Sequence, residues 1–256
     1  MQGKLGIRYG ARMGSRFTQQ NSQVPERLRD GTLVRKLPDD MVRAASLLVY
    51  PGYFTAARVA EVLETAGATR AEARDAVRAA RTNYQAHLDR SEGDGDWVRF
   101  DAACEAIATQ GILVRHNFTC CRTCADAEIG DDRTDEWGYV FFTQQDAETL
   151  AYAEASVYLG YGSFGPSPSI DPAELASAHG DDARMSELYE RTFDDLAAAI
   201  TSALDAQGLR YDWDGDTGTR IQVVGMDWRR PLPDDRDAAE PGPTIEPRRR
   251  GFGFRL

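Results

Sequence analysis

The fold is decided at Gly111-Ile-Leu-Val-Arg-His-Asn-Phe118, where the pattern of apolar residues changes from helical to extended. Before this stretch, apolar side chains recur at spacings of three, four and seven, the pattern of a helix with one buried face. After it, short apolar runs alternate with helical stripes. We therefore expect a helical subdomain over residues 39–110 and an α+β domain over residues 111–230.

The helical subdomain carries clear signals for where its helices begin and end. Thr69-Arg-Ala-Glu72 is a capping box, in which the Thr hydroxyl and the Glu carboxylate each satisfy a free backbone amide. An apolar stripe follows it as far as Leu88. Thr55 precedes a shorter helix that Gly67 stops, and a third helix ends at Gly111. The sequence thus predicts three helices before the sheet.

Residues 111–230 contain short apolar runs bounded by Gly, Asp and Pro, and this pattern predicts a sheet. The fold class is α+β: a helical N-terminal subdomain, then a mixed, mostly antiparallel sheet of about five strands with helices packed on one face. The expected helices are residues 145–154 and a long one over 185–203. The expected strands are residues 112–118, 137–142, 156–161, 209–213 and 220–228.

Charge and hydropathy exclude two classes of partner. The chain has 256 residues with 30 basic and 41 acidic side chains, and residues 37–230 hold 34 of the acidic ones. A body this acidic repels phosphate, so we expect no nucleic-acid partner. No apolar run approaches the roughly 20 residues of a membrane span, and no apolar signal segment is visible. We expect a cytoplasmic protein with no membrane contact.

Both ends differ in composition from the body. Residues 1–36 carry eight basic side chains against two acidic ones, and residues 231–256 are rich in Pro and Arg. Neither segment has enough apolar residues to offset the entropy lost on ordering, about 1–2 kcal/mol per residue. We expect a disordered basic head over residues 1–38 and a disordered tail over residues 231–256.

Three of the four cysteines cluster in His116-Asn-Phe-Thr-Cys120-Cys121-Arg-Thr-Cys124. Cys121-x-x-Cys124 has the spacing of half a metal site, and also that of a redox dithiol. The sequence offers no second pair of this kind. Cys120, Cys121, Cys124 and His116 are the candidate metal ligands, with zinc as the candidate ion. Cys104 lies on an apolar helical stripe and is expected to be a core residue.

Joint ligation by His116 and the cysteines requires a bend between them. In an extended strand, four residues would place the Cα atoms of His116 and Cys120 about 13 Å apart, whereas zinc ligand atoms lie about 2.0–2.3 Å from the ion. Joint ligation therefore requires a bend at residues 117–119. Without one, His116 is a buried strand residue that shares a face with Val114 and Phe118.

Other motifs are explained by structure rather than by chemistry. Gly160-Tyr-Gly-Ser-Phe-Gly165 matches a dinucleotide-binding pattern, but prolines follow where a helix is required, so we expect a glycine-permitted bend beside packed aromatics. Asp212-Trp-Asp-Gly-Asp-Thr-Gly218 lacks the Gly and Glu of a calcium loop and is expected to be a hairpin turn. Asp146 is expected to stabilise the start of a helix.

Several motifs in register resemble an uncharacterised, mainly actinobacterial family, domain-of-unknown-function family 6891. They are Asn117-Phe-Thr-Cys-Cys-Arg-Thr-Cys124, Gly138-Tyr-Val-Phe-Phe142, Gln144-Gln-Asp146, Tyr158-Leu-Gly-Tyr-Gly-Ser-Phe164, Trp213-Asp-Gly215 and Arg220-Ile-Gln-Val223. Members of that family often carry Gly and His where this chain has Ala125 and Thr143. The resemblance covers about residues 45–230 and implies no activity.

These observations leave the function open between different classes. The leading hypothesis is a bacterial protein that binds a metal, or is regulated by a thiol, through the cysteine loop of residues 120–124. The alternative is a non-catalytic module that binds a protein partner through aromatics near residues 158–164, with cysteines that merely pack. A third hypothesis is an enzyme that combines the cysteine loop with Gln144, Gln145 and Asp146. No residue can be named as catalytic or cofactor-binding.

Overall fold

The computed structural model describes residues 40–234, together with the backbone of two short strands, β1 (Glu26–Arg27) and β2 (Leu33–Val34), which pair antiparallel. The rest of the predicted head, and the predicted tail from residue 235 onward, lie outside the described residues.

From residue 40 the chain begins with four helices, one more than the sequence predicted, and the strands of the sheet follow with helices between them. The helices are α1 (Met41–Val49), α2 (Ala56–Thr65), α3 (Arg70–Arg90), α4 (Trp97–Ala108), α5 (Arg122–Glu128), α6 (Gln144–Ala147), α7 (Pro172–Ser177) and α8 (Asp182–Ala206), with 3-10 turns at Ile129–Asp132 and Glu148–Ala151. The strands are β3 (Ile112–Arg115), β4 (Gly138–Phe141), β5 (Ala155–Ser163), β6 (Tyr211–Asp212) and β7 (Ile221–Met226).

Helices α1, α2 and α3 form a small bundle with its own apolar core. The predicted capping box at the start of α3 is confirmed, because Thr69 Oγ1 accepts from the amide of Glu72 and the Glu72 carboxylate accepts from the amide of Thr69. Thr55 caps α2 through its side chain alone, which accepts from the amide of Arg58. The core of this bundle consists mainly of small side chains, which lets the three helices approach closely: Ala44, Ala45, Val49, Val59, Leu63, Ala73, Ala76, Val77, Ala80 and Tyr84.

The five sheet strands lie in the order β3-β4-β5-β7-β6. β3 and β4 run parallel, and the other three neighbouring pairs are antiparallel. This confirms the predicted mixed, mostly antiparallel sheet. The turn between β6 and β7 is built as the sequence predicts: Asp214 accepts from the amide of Asp216 and from the hydroxyl of Thr219.

The two long helices α4 and α8 cover one face of the sheet. Alternate residues of the strands, among them Ile112 and Val140, join this main core, which also contains Phe100 of α4 and Leu196 of α8. Their neighbours along the strands, Leu113 and Phe141, face the opposite side. There they pack against the short helix α5 and the 3-10 turn that follows it. The side of the sheet opposite the long helices therefore carries the cysteine segment.

The glycine-rich string of β5 is explained by its partner strand. Gly160 and Gly162 lie directly across from Phe141 and Tyr139. A Cβ at Gly160 would lie 3.1 Å from the Phe141 ring, and one at Gly162 would overlap the Tyr139 phenol. The glycines therefore allow two aromatic rings of β4 to lie flat across β5, which confirms the predicted packing of glycine beside aromatics.

A segment after β7, residues 227–233, joins the three-helix bundle to the sheet, and we call it the strap. The amide of Asp96, just before α4, donates to the carbonyl of Asp227, and the amide of Asp227 donates to the Asp96 carboxylate. The indole of Trp228 donates to the carbonyl of Pro51. The carbonyl of Arg230 accepts from the hydroxyl of Tyr84. The Arg230 guanidinium lies 4.3 Å from the centre of the Tyr53 ring and 4.7 Å from that of Trp97.

Within residues 40–234, no helix is long and apolar enough to cross a membrane.

We predict that Gly162→Ala lowers the free energy of unfolding by about 1–3 kcal/mol, because the new methyl group overpacks the Tyr139 ring. The measurement is urea unfolding followed by far-UV circular dichroism. Gly165→Ala is the matched control, since a Cβ there meets no atom within 4 Å, and it should change the free energy by about 0.5 kcal/mol or less. Equal effects of the two substitutions would contradict the packing described here.

Candidate metal centre

The cysteine loop is set in place by a bend that follows β3. Asn117 and Thr119 have φ of 51° and 46°, in the left-handed region that residues other than glycine rarely adopt. The amide of Phe118 donates to the carbonyl of Phe142 at 2.8 Å, and the amide of Gln144 donates to the carbonyl of Thr119 at 3.0 Å. The chain therefore turns sharply at residues 117–119 while it stays hydrogen-bonded to the end of β4.

The bend delivers three sulfur atoms to one place. The Sγ atoms of Cys120, Cys121 and Cys124 all lie within 4.8 Å of one another, and those of Cys120 and Cys121 are 3.8 Å apart. Two thiolates bound to a tetrahedral zinc ion at about 2.3 Å are themselves about 3.8 Å apart. The adjacent cysteines thus already have the separation of a ligand pair. These three cysteines could bind a metal ion.

The environment of Cys121 favours its thiolate. Burial by itself would raise the pKa of this thiol. Hydrogen bonds from the amide of Cys124, from the thiols of Cys120 and Cys124 and from the amide of Thr123 outweigh burial and hold the pKa below its usual value. Cys121 directly precedes α5, so these amides belong to the free N–H groups at the start of that helix. Because the thiolate is the form that binds metals, the loop is prepared for a cation.

His116 does not join the three sulfurs. Its ring stacks on Phe142 with 5.3 Å between centres and also contacts Phe100, Tyr53 and Trp97. Its Nε2 atom is buried and has no hydrogen-bond partner. Burial, and then the positive charge of Arg230, lower the pKa of His116 to about 4. His116 is thus a neutral residue of the aromatic core.

The bend also separates residues that an extended strand would keep on one face. His116 follows the alternation of β3 and stays on the side of the main core with Val114. Phe118 packs on the opposite side, near Leu113 and Phe141. Phe118 would share a face with His116 only in an extended strand, and the left-handed residue between them turns the chain over. The same turn moves the cysteines away from His116.

The remaining cysteine and histidines lie elsewhere. Cys104 is 7% exposed in the main core on α4, as predicted, and burial raises the pKa of its thiol. His87 is exposed on α3 beside Tyr84, and His179 is exposed after α7. Each of the three is outside the group of three sulfurs.

The polar residues after β4 serve to support the structure around the loop. Thr143 and Asp146 form a capping box at the start of α6, which confirms the predicted role of Asp146. The Asp146 carboxylate also pairs with Arg220 at 2.9 Å, and Arg220 lies 4.5 Å from the centre of the Tyr158 ring. Gln144 meets the loop through its backbone amide. Asp146, which the third hypothesis proposed as part of an enzyme site, therefore caps α6 and pairs with Arg220.

Sequence reasoning missed the aromatic cluster around Arg230. Tyr53, Trp97 and Trp228 come from distant parts of the chain and contact one another, and the rings of Tyr53 and Trp97 also contact His116. The Tyr53 hydroxyl and the Arg230 Nε atom are buried without a partner, as is His116 Nε2. Their positions in sequence gave no signal, because the residues come together only when the strap crosses the bundle.

Comparison with known proteins identifies a family but no activity. A family model described as "Domain of unknown function (DUF6891)" matches residues 35–232. No curated protein and no solved structure matches the chain. The matched region spans the bundle, the sheet and most of the strap.

We predict that acid destabilises the protein through His116. Between pH 6.5 and about 4 the unfolded chain binds a proton at this residue and the folded protein does not. Acidification through that window therefore lowers the free energy of unfolding by up to about 3 kcal/mol. Urea unfolding at a series of pH values should show this loss in the parent and in His179→Gln. It should be absent in His116→Phe, and an unchanged pH slope in that variant would contradict the burial of a neutral histidine.

We predict that Cys121 is the first thiol to react with iodoacetamide at pH 7 in metal-free protein, because its pKa is lowered and it is half-buried. Cys104 should react only after unfolding, since it is buried and its pKa is raised. Peptide mass spectrometry over a time course gives the order. Simultaneous slow reaction of all four cysteines would mean that they simply pack.

Proposed function

The chain belongs to the DUF6891 family, and from the site itself we propose that it binds one thiophilic metal ion through Cys120, Cys121 and Cys124, with zinc as the first candidate. The observation that carries the proposal is the convergence of three sulfur atoms within 4.8 Å. His116 is left out of the ligand set because its ring belongs to the aromatic cluster.

Packing alone is a poor explanation of this arrangement. Cys121 and Cys124 are only half-buried, so they contribute little to an apolar core. A thiolate at Cys121 lies beside two other sulfurs, and a cation there would be attracted by its negative charge. A bound dication compensates that charge and deprotonates the remaining thiols.

The ligand type limits the choice of metal. Thiolates are soft ligands and favour zinc, monovalent copper or iron, whereas magnesium and calcium require oxygen ligands. Zinc is the first candidate because two of the sulfurs already have the separation that its tetrahedral geometry requires.

A second candidate function is thiol–disulfide exchange at Cys121 and Cys124. The lowered pKa of Cys121, at the start of α5, favours it, since an attacking thiol must be deprotonated. In that case Cys121 would attack a disulfide of the substrate and Cys124 would resolve the mixed disulfide. The substrate would be reduced to its thiols and the pair oxidised.

The non-catalytic alternative finds less support on the described surface. The aromatics near residues 158–164 are covered by the chain itself: Arg220 lies over Tyr158, and Phe164 packs against Tyr139 beneath Arg133. Among residues 40–234, the exposed large apolar side chains are Val42, Val98 and Tyr152. These do not form an apolar patch near the predicted aromatic surface.

We expect protein purified without a His tag to contain about one zinc or other soft metal ion per chain. Cys121→Ser and Cys124→Ser should lose it, and Cys104→Ser, whose sulfur is outside the site, should keep it. In metal-free parent protein, added zinc at about 100 times its dissociation constant should raise the free energy of unfolding by about 2.7 kcal/mol. Elemental analysis and unfolding curves give both results.

Absence of metal in the parent protein, together with no effect of added zinc on stability, would overturn the metal proposal. The second candidate would then be tested by titrating the protein with oxidised glutathione. A disulfide that forms between Cys121 and Cys124 and is lost in Cys124→Ser would support exchange chemistry.

We also propose that the protein works in a reducing compartment, with the cytoplasm as the expected one, because its proposed ligands must remain thiols. Rapid acid trapping and alkylation of thiols in cells tests this. A disulfide among the three cysteines in most molecules would contradict it.

A further inference from the structure

Residues 40–234 supply three soft ligands to the proposed metal and place no fourth cysteine, histidine or carboxylate beside them. All four cysteines and all three histidines of the sequence lie within residues 40–234. Three cysteines form the site, and Cys104 is buried on α4 in the main core. The fourth cysteine sulfur thus lies in another part of the molecule.

The three histidines also lie away from the three sulfur atoms. His116 is stacked on Phe142, and His87 and His179 are exposed on or after helices of other regions. Among residues 40–234, no carboxylate belongs to the group of three sulfurs either. A fourth ligand drawn from residues 40–234 would therefore require the bend or a helix to rearrange.

A metal with three protein ligands behaves differently from a structural one. Structural zinc sites are closed by four protein ligands, whereas sites with three keep water or a substrate in the fourth position. Two of the three sulfurs are reachable from solvent, since Cys121 and Cys124 are only half-buried. A ligand from solution can therefore approach the metal on the side of these two residues.

On this basis, and resting on the metal-binding function proposed above, we propose that the bound ion takes a thiolate from outside the chain as its fourth ligand. The ligand class follows from the site: three thiolates make the ion soft, and a soft ion prefers a fourth sulfur to an oxygen.

The ligand exchange balances without an oxidant or a reductant. One metal–sulfur bond forms as one metal–water bond breaks, the thiol proton goes to solvent, and no atom changes oxidation state. The external thiol can be a small molecule or a cysteine of a partner protein, because both offer the same donor atom.

The experiment uses the full chain loaded with Co²⁺, whose visible absorption reports tetrahedral geometry and whose near-ultraviolet charge-transfer band grows with the number of bound thiolates. Addition of 2-mercaptoethanol should raise the charge-transfer band in the ratio of four thiolates to three. Imidazole should shift the visible bands without raising that band. Cys104→Ser should respond as the parent does, which shows that the added sulfur comes from outside.

The outcomes separate this proposal from the proposed function. A protein that gives no Co²⁺ spectrum, with or without 2-mercaptoethanol, overturns both. A protein that binds Co²⁺ with a spectrum that neither 2-mercaptoethanol nor imidazole changes retains metal binding and overturns the external ligand. Loss of the whole spectrum in Cys124→Ser, with normal folding by circular dichroism, supports the assignment of the three sulfurs.

Discussion

Two residues with positive φ, Asn117 and Thr119, turn the chain away from the sheet just after β3, and the site depends on that turn. Each such residue costs on the order of 1–3 kcal/mol, so the surrounding structure must hold it. The hydrogen bonds from Phe118 to Phe142 and from Gln144 to Thr119 do so, at about 1 kcal/mol each. Asparagine tolerates this conformation well, whereas β-branched threonine does not. Strain of this kind is typical of functional segments.

The turn links the two sides of the sheet. On the side of the main core it leaves His116 stacked on Phe142, within the aromatic cluster that the strap closes through Trp228 and Arg230. On the other side it places the cysteine loop at the start of α5, where free backbone amides stabilise a thiolate. The apolar cluster beneath α5 fixes that helix, and so the loop is held from both ends.

Much of the fold could be predicted from local signals. The capping box at Thr69, the glycine stops and the period of the stripes placed the longer helices α2, α3, α4 and α8, but not α1, α5 or α7. The number and type of strands followed from short apolar runs. Strand ends were harder to predict. β3 stops at Arg115 rather than at residue 118, because the left-handed residue at 117 breaks the alternation. The predicted helix over residues 145–154 is a short α-helix followed by a 3-10 turn.

The site was predicted in part. The spacing of Cys121 and Cys124 and the neighbouring Cys120 predicted which sulfurs meet, since a tight turn suffices to bring them together. The position of His116 could not be predicted, because it depends on the direction of the bend. Contacts with β4 set that direction, and no local sequence pattern indicates them. The aromatic cluster could not be predicted either, because Tyr53, Trp97 and Arg230 meet only after the bundle, the sheet and the strap have packed together.

The most direct test of the metal centre is the anomalous scattering of crystals grown with zinc, measured on both sides of the zinc absorption edge. The account predicts one strong peak per chain that lies about 2.3 Å from the Sγ atoms of Cys120, Cys121 and Cys124, with His116 still stacked on Phe142. A peak at another place in the chain, or crystals of zinc-treated protein with no peak at these sulfurs, would contradict it.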